Sequence, residues 1–257
     1  MNTRVLINGV GGQMGAALIK AFGSADHGME IIGGVDPFCD CPLLFPVFRS
    51  ASEIDVDADV AIDFSIPDAT EAILTYCVEK RIPLVICTTA LSDALIRKIR
   101  IASQTIPIFR SGNMSLGVNL MTALLKRAKR TLGDAFDVEI IETHHNRKKD
   151  APSGTALMLA DAISEADGEK HDYRFGRSET DRRRAPGEIG FHSVRGGTIV
   201  GEHEVRFLGE DEEISIRHAA YSKLVFANGA IRAAAFLIKQ PAGLYSMDDL
   251  VNETLSE

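Results

Sequence analysis

The chain has 257 residues, room for one large domain or two modest ones, and its 45% hydrophobic and 25% charged content is that of an ordinary globular protein. A formal net charge of -8 argues against nucleic acid or an anionic membrane surface as a partner. With no signal-peptide pattern ahead of the first strand and no apolar run long enough to span a bilayer, the expectation is a cytoplasmic protein.

The first half reads as a nucleotide-binding sheet. Val5-Leu6-Ile7, a glycine-rich turn and the run Met14 to Phe22 read as strand, turn and helix, the context that gives a glycine run meaning. The turn Gly9-Val10-Gly11-Gly12-Gln13-Met14 spaces Gly9, Gly12 and Gly15 three apart, with Gly11 extra, and so departs from the common G-x-G-x-x-G. The next strand, Ile31 to Val35, ends at Asp36, roughly twenty residues past the turn, where a carboxylate would accept adenosine ribose hydroxyls. Cys39, Cys41, Cys77 and Cys87 form no disulfide framework or zinc pattern and are expected to be reduced thiols.

Short apolar strands follow at Val60–Ile62, Leu84–Ile86 and Ile106–Phe109, separated by helical segments near 68–80 and 92–102. This alternation predicts a Rossmann-like, doubly wound parallel sheet, with its ligand beyond the carboxyl ends of the strands. That edge gathers Asp63-Phe64-Ser65, Cys87-Thr88-Thr89 and Ser111-Gly112-Asn113-Met114. Each alone is equally a polar strand-to-helix turn, and only their shared edge favours a cofactor.

From Leu116 the character changes. A helix over about 118–131 leads to a half-buried strand in which Val138, Ile140 and Ile141 alternate with polar residues, so that His144 begins a loop at the strand's end. The loop, His144-His145-Asn146-Arg147-Lys148-Lys149-Asp150-Ala151-Pro152-Ser153-Gly154-Thr155, carries two imidazoles and three fixed cations. It ends on a helix over 155–166 with Ser153 as N-cap. A helix N-terminus offers unpaired N–H groups and a positive dipole end, and Gly154 lets a ligand approach the backbone, so the geometry suits a carboxylate or phosphate.

Alone, the Ser153-Gly154-Thr155 triplet is most simply a cap and the basic run a solvated loop. In combination, His144, His145, Lys148 and the helix start can converge on a small anion while supplying a group that titrates near neutrality. Metal binding is not expected: adjacent side chains on an extended segment point apart, and no H-E-x-x-H or C-x-x-C pattern is present.

The polar segment 167–188, which includes Arg182-Arg183-Arg184, reads as a surface loop, with a lid as the second reading. Strands over 189–194, 198–208 and 213–218 follow without intervening helices and are expected to pair antiparallel through turns at Arg195-Gly196-Gly197 and Gly209-Glu210-Asp211. They mark an α+β module. Phe226 to Ile238 is helical again.

The run His144-His145-x-x-Lys148-x-Asp150-Ala151-Pro152-Ser153-Gly154-Thr155-Ala156 closely resembles the signature of the 4-hydroxy-tetrahydrodipicolinate (dihydrodipicolinate) reductase family. The resemblance extends to the glycine turn through Gly15, Asp63-Phe64-Ser65, Thr88-Thr89, Asn113 to Asn119, Gly201-Glu202-His203 and Phe226 to Ala230, in family order over essentially the whole chain. It implies a discontinuous dinucleotide-binding domain at 1–114 plus 226–257, and an α+β substrate and tetramerisation domain with an open mixed sheet at 115–225. Hinges near 113–116 and 225–228 are implied with it.

The implied activity is NAD(P)H-dependent reduction of 4-hydroxy-tetrahydrodipicolinate in the diaminopimelate route to lysine, by a homotetramer acting on a small anionic dicarboxylate. His144 is then the proton donor and Lys148 assists it, while His145, Ser153, Gly154 and Thr155 hold substrate. NADH is expected over NADPH, because Asp36 and Asp40 oppose a 2′-phosphate and no Lys or Arg follows before Arg49. Two other readings share the glycine turn: a different two-domain nicotinamide dehydrogenase acting on an amino or dicarboxylic acid, and a non-enzymatic NAD(H)-binding sensor. Neither needs His144-His145-x-x-Lys148 ahead of Ser153-Gly154-Thr155. The chain departs from the family at Cys87 and Ala90, which stand where glycines are usual.

Overall fold

Short strands that alternate apolar side chains between two covered faces account for most of the first half of the chain. In the computed structural model, which describes residues 2–25, 27–40, 42–178 and 182–256, that half runs β1 (Thr3–Asn8), α1 (Gln13–Ser24), β2 (Met29–Val35), β3 (Val47–Phe48), β4 (Val60–Asp63), α2 (Pro67–Lys80), β5 (Leu84–Ile86), α3 (Asp93–Ala102) and β6 (Pro107–Arg110). It continues with α4 (Leu116–Leu132), β7 (Asp137–His144), α5 (Gly154–Asp167), β8 (Asp172–Phe175), β9 (Glu188–Arg195), β10 (Gly201–Leu208), β11 (Glu213–Ala220), α6 (Leu224–Leu237), β12 (Gly243–Tyr245) and α7 (Met247–Ser256). Two compact units result: Met1–Leu116 with Lys223–Glu257, and Gly117–Ser222.

In the first unit the strands are all parallel, in the order β12-β6-β5-β4-β1-β2-β3. Val5, Ile7, Val60, Ile62, Val85 and Phe109 join one core with Leu18 of α1 and Ala230, Ala233 and Ala234 of α6. Leu6, Ala61, Leu84, Ile86 and Ile108 turn to the other face, where Ile73 and Leu74 of α2 and Leu95 and Ile99 of α3 cover them. That is the doubly wound arrangement read from the sequence. The strand order reverses at β1, which lies between β4 and β2, and the carboxyl ends on either side of such a reversal form a crevice.

The alanine-rich α6 packs on this sheet at close range. A Cβ at Gly229 would lie 1.7 Å from the Met114 carbonyl oxygen. The edge strands β3 and β12 and the helix α7 are additions to the predicted elements.

The second unit holds a mixed five-stranded sheet, β11-β10-β7-β9-β8. Here one expectation is corrected: β9 and β10 do not pair with each other. Each flanks β7, β9 parallel to it and β10 antiparallel. The link between them takes its hydrogen bonds from the exit of β7: Gly196 N–H donates to the His144 carbonyl, and the Gly197 and Ile199 carbonyls accept from Asn146 and His145. A tight hairpin at Arg195-Gly196-Gly197 is thereby replaced by a crossover over the end of β7. The central place falls to β7 because Val138 and Ile140 meet Ile189 and Phe191 on one side and Val205 and Phe207 on the other, under α4 and α5. Strand β10 starts at Gly201, later than expected, for the same reason.

The segment 167–188 is more structured than a plain surface loop. It contains β8, parallel to β9, in which Tyr173 and Phe175 alternate with charged residues. Arg177 and Arg182 pair with Glu188, and Arg184 with Asp137. Residues 179–181 of this segment and Cys41 lie outside the described residues, and Cys39, Cys77 and Cys87 are free thiols.

Ala90, at the place where the family resemblance expects glycine, has φ 56. A left-handed backbone costs an L-residue roughly 1–2 kcal/mol, and glycine returns about 0.4–1 kcal/mol of that through unfolded-state entropy. Ala90→Gly is therefore expected to stabilise the protein by about 0.5–1 kcal/mol, seen as a higher urea midpoint at unchanged slope. An unchanged or lower midpoint would show that the turn carries no strain.

Candidate functional site

Along β7 the side chains alternate, and Val138, Ile140, Glu142 and His144 all turn to the buried face. The first two enter the core. The same face then continues as a carboxylate and an imidazole, 1% and 8% exposed. His203 of β10 lies opposite Glu142, and Arg195 of β9 opposite His144.

A carboxylate taken out of water must be paired and hydrogen-bonded to be tolerated. Glu142 is. Arg195 grips it with both terminal nitrogens, Nη1 to Oε2 at 2.8 Å and Nη2 to Oε1 at 2.7 Å. The Ser153 N–H donates to Oε1 at 3.2 Å, and His144 Nδ1 lies 2.5 Å from Oε2. Burial alone would raise the Glu142 pKa, but hydrogen bonds from Arg195, Ser193 and His144 outweigh it and hold the carboxyl at about 2.

Burial pushes His144 below the ordinary imidazole value; Glu142 pulls it back up, while Lys148 and Arg195 add to the downward shift. His203, edge-on to His144 at 5.1 Å between ring centroids, is lowered further, to about 4, by burial and by the neighbouring His144. Ser153 Oγ accepts from the Ala156 N–H as N-cap of α5 and is hydrogen-bonded to His203 Nε2 at 2.9 Å. His203 thus packs behind His144 with its charged form disfavoured by burial.

The loop after β7 is pinned through its backbone. His145 N–H donates to Ile199, and Lys148 N–H donates to the His145 carbonyl. Lys148 Nζ lies 2.9 Å from Asp150, whose carboxyl it holds below the usual range, and the Asp150 carbonyl accepts from Arg195. Lys149 is exposed. His145 Nδ1 is buried without a hydrogen-bond partner among the described residues. Gly154 opens α5 beside half-buried Thr155, and nothing lies within 4 Å of where its Cβ would stand, so the backbone there can be approached closely.

The glycine turn of the first unit has the form a dinucleotide needs. Gly9 takes φ 81 in close contact with the Phe64 carbonyl, and a Cβ at Gly15 would stand 2.3 Å from the Val10 carbonyl oxygen. Gly12 starts α1 with no side-chain cap, which leaves its first N–H groups for an anion. Asp36 accepts from the Gly11 and Phe38 N–H groups at 3.0 and 2.9 Å. A cleft of about 260 Å³ lies there, lined by Asn8, Gly9, Gly12, Asp36, Phe64 and Ile66 among others.

The rest of the predicted cofactor set divides by where its side chains go. Val10, Cys87 and Met114 are buried and Met14 packs against the same core, so what they can offer at the strand ends is backbone. Burial and the Asp63 charge push the Cys87 thiol well up. Thr88 donates to Asp63, a fully buried carboxylate that also accepts from Asn8, Ser65 and Thr70 and so ties β1, β4, α2 and the end of β5 together. Thr89 and Gly112 are exposed. Ser111 and Asn113 bond to each other in one turn, and Gln13 accepts from Lys223 at the start of α1.

Among the described residues, Asp134, Asp167 and Glu169 come close enough to suggest a metal. Lys129 Nζ already sits 2.7 Å from Asp134 and 3.1 Å from Asp167, so an ammonium holds the cation's place.

Glu142, Arg195 and His203 carry the geometry of the His144 site, yet the sequence reading gave them no role. The signal for Glu142 was present in the alternation Val138, Ile140, Glu142, His144, which places two ionisable groups on an apolar face. His203-x-Val205-x-Phe207 repeats it on β10. Arg195 had no such mark, since its place depends on the parallel pairing of β9.

Comparison with known proteins agrees with this layout. Residues 3–114 match the family model for the N-terminus of dihydrodipicolinate reductase and residues 117–251 that for its C-terminus. The 4-hydroxy-tetrahydrodipicolinate reductase of Caldanaerobacter subterraneus subsp. tengcongensis is 48% identical over 98% of this chain and 100% of its own length. That of Clostridium tetani is 45% identical over 97% of each. Dipicolinate-bound dihydrodipicolinate reductase from Paenisporosarcina sp. TG-14 superposes with a TM-score of 0.78 at 26% identity, covering 96% of this chain and 98% of that one. With both halves matched and close relatives spanning its whole length, the chain belongs to the dihydrodipicolinate reductase family.

Proposed function

We propose that this chain is an NAD(P)H-dependent 4-hydroxy-tetrahydrodipicolinate reductase, and the observation that carries the proposal is a buried imidazole backed by a carboxylate on the strand that leads to the glycine-started helix α5. The substrate loses water to give a ring with a C=C bond conjugated to an imine. The bound cofactor supplies the hydride for C4. The electron-rich intermediate then needs a proton at C3, and His144 has the intrinsic acidity for that transfer. Products are tetrahydrodipicolinate, oxidised cofactor and water.

Each remaining residue has a part in this reading. Lys148 steadies the charge that develops beside His144. His145, Thr155 and the Gly154 end of α5 take the two substrate carboxylates, an arrangement that suits helix N–H groups and a hydroxyl, and Ser153 contributes by building that helix start. Gly9, Val10, Gly11, Gly12, Gln13 and Met14 receive the dinucleotide phosphates, Asp36 the ribose, and the ends of β5 and β6, at Cys87-Thr88-Thr89 and Ser111 to Met114, the nicotinamide half. The first unit is then the dinucleotide-binding domain and the second the substrate and assembly domain. A homotetramer in the cytoplasm belongs to the same proposal, on the strength of the family resemblance; no described helix is long and apolar enough to cross a membrane.

NADH is the preferred cofactor in this reading. Arg4 pairs with Asp59 at the amino end of β1, opposite the cleft's end of the strand. Arg49, just past β3, donates to the Pro37 carbonyl and to Asp40 at 2.6 and 2.8 Å. It is the cation nearest in sequence to Asp36 on this side, and Asp40 offsets its charge.

The wild-type protein is expected to oxidise NADH when substrate is generated from pyruvate and aspartate semialdehyde. His144→Gln should lower kcat by about 10²–10⁴-fold, the range for losing a positioned general acid, with cofactor affinity unchanged. A variant with near-normal kcat would remove His144 from the proton step. Lys148→Ala should impair turnover severely and Lys149→Ala only mildly; equal losses would mean that the loop acts through bulk charge. For the cofactor, kcat/KM at fixed ionic strength should favour NADH, and Asp40→Asn should narrow the ratio by freeing Arg49 for a 2′-phosphate. A wild-type preference for NADPH would refute the placement of Asp36 at the ribose.

A further inference from the structure

We infer that Glu142 is the positioning residue of the proton donor: it holds the His144 ring with Nδ1–H toward its own carboxylate, so that Nε2 is the edge from which the proton leaves. This rests on the reading of His144 as proton donor, and it adds a residue to which neither the loop signature nor its resemblance gives a part.

The argument starts from donors and acceptors. Glu142 is fully buried, and Arg195 keeps it ionised through two parallel hydrogen bonds. An ionised carboxylate only accepts. His144 Nδ1, 2.5 Å from Oε2, must therefore carry a hydrogen whether the ring is neutral or charged. The neutral ring is fixed as the Nδ1–H tautomer, and the proton that comes and goes is the one on Nε2. That edge is kept clear by Gly201, where a Cβ would lie 3.0 Å from Nε2 and 3.3 Å from Cδ2. When the imidazolium gives its Nε2 proton to C3, the ring left behind is already in its bonded tautomer. Glu142 stays a carboxylate, and no second proton moves.

The charged and titratable groups around the ring are Glu142 on β7, Arg195 on β9, Lys148 in the loop and His203 on β10, with His218 of β11 beyond His203. Burial and the neighbouring His144 disfavour the charged form of His203. The remaining three decide the donor's proton affinity. Glu142 favours the imidazolium; Arg195 and Lys148 oppose it. Glu142 and Arg195 hold each other in place and yet act on His144 with opposite sign.

That opposition separates positioning from mere support. The donor must be protonated, so kcat falls as pH rises through its pKa. Glu142→Gln removes the group that raises this pKa, and the alkaline fall should move to lower pH by about one unit or more, the usual scale for an opposite charge in contact. kcat should suffer more than KM. Arg195→Gln removes an opposing cation and leaves the Glu142 charge directed at His144, so the fall should move to higher pH.

Displacement of both variants in the same direction, or of neither, overturns the inference. Should either variant fail to fold, the wild-type protein still decides. In a ¹H–¹⁵N spectrum of the histidine rings, with His144 identified by its loss in His144→Gln, the neutral ring should be protonated at Nδ1 and bare at Nε2. The reverse tautomer overturns the inference. The ring measurement needs no turnover, so a wild-type protein inactive on the substrate overturns the function proposed above, and the tautomer alone then judges Glu142.

Discussion

The second unit depends on making one buried carboxylate tolerable. An isolated ionised Glu142 at the end of an apolar strand face would cost several kcal/mol, and removing one partner of a buried pair costs roughly 3–5 kcal/mol. Three strands and a helix start supply what it needs: Arg195 from β9, His144 from β7 itself and the Ser153 N–H at α5, with His203 of β10 tied to the same serine. The local requirement thereby fixes the neighbours of β7. It also explains why the helix start, the imidazole and the crossover link lie close together, since each either binds Glu142 or binds a residue that does.

The first unit solves a parallel problem with neutral partners. Asp63 is as deeply buried as Glu142, yet it is met by an amide and three hydroxyls, from Asn8, Ser65, Thr70 and Thr88, and by no cation among the described residues. These groups come from β1, where the strand order reverses, and from the β4 and β5 side of it, beside the glycine turn. The two carboxylates thus brace two kinds of surface. One brings strand ends together around a cleft; the other aims a single ring.

Much of this was legible in the sequence, because the forces concerned are local. Apolar runs of three or four residues between helical periods can settle only into a covered parallel sheet, and the start of α5 announces itself through Pro152, Ser153 and Gly154. The pairing of β9 was not legible. Consecutive strands with a Gly-Gly between them look like a hairpin, and only the competition for the place beside Val138 and Ile140 sends β9 to the far side of β7. Arg195 went unseen with it. Strand β8 was hidden because Asp172 and Arg174 give a four-residue edge strand the polarity of a loop, and Ala90 shows its left-handed backbone only in three dimensions.

The parallel pairing of β7 with β9 also orders events in time. Val138 must find Ile189, and His144 must find Arg195, across about fifty residues of chain that include all of α5, and closing a loop of that length costs entropy before any contact repays it. A nascent chain emerging amino end first would display the whole loop from His144 to Thr155 well before Arg195 existed to receive the Glu142 charge. Until then His144 and the Ser153 N–H could meet that carboxylate, but the Arg195 cation that holds it inside would be missing. The geometry around His144 is therefore a late product of folding, completed only when the unit closes, so a stalled or truncated polypeptide would carry every residue of the signature and none of its arrangement.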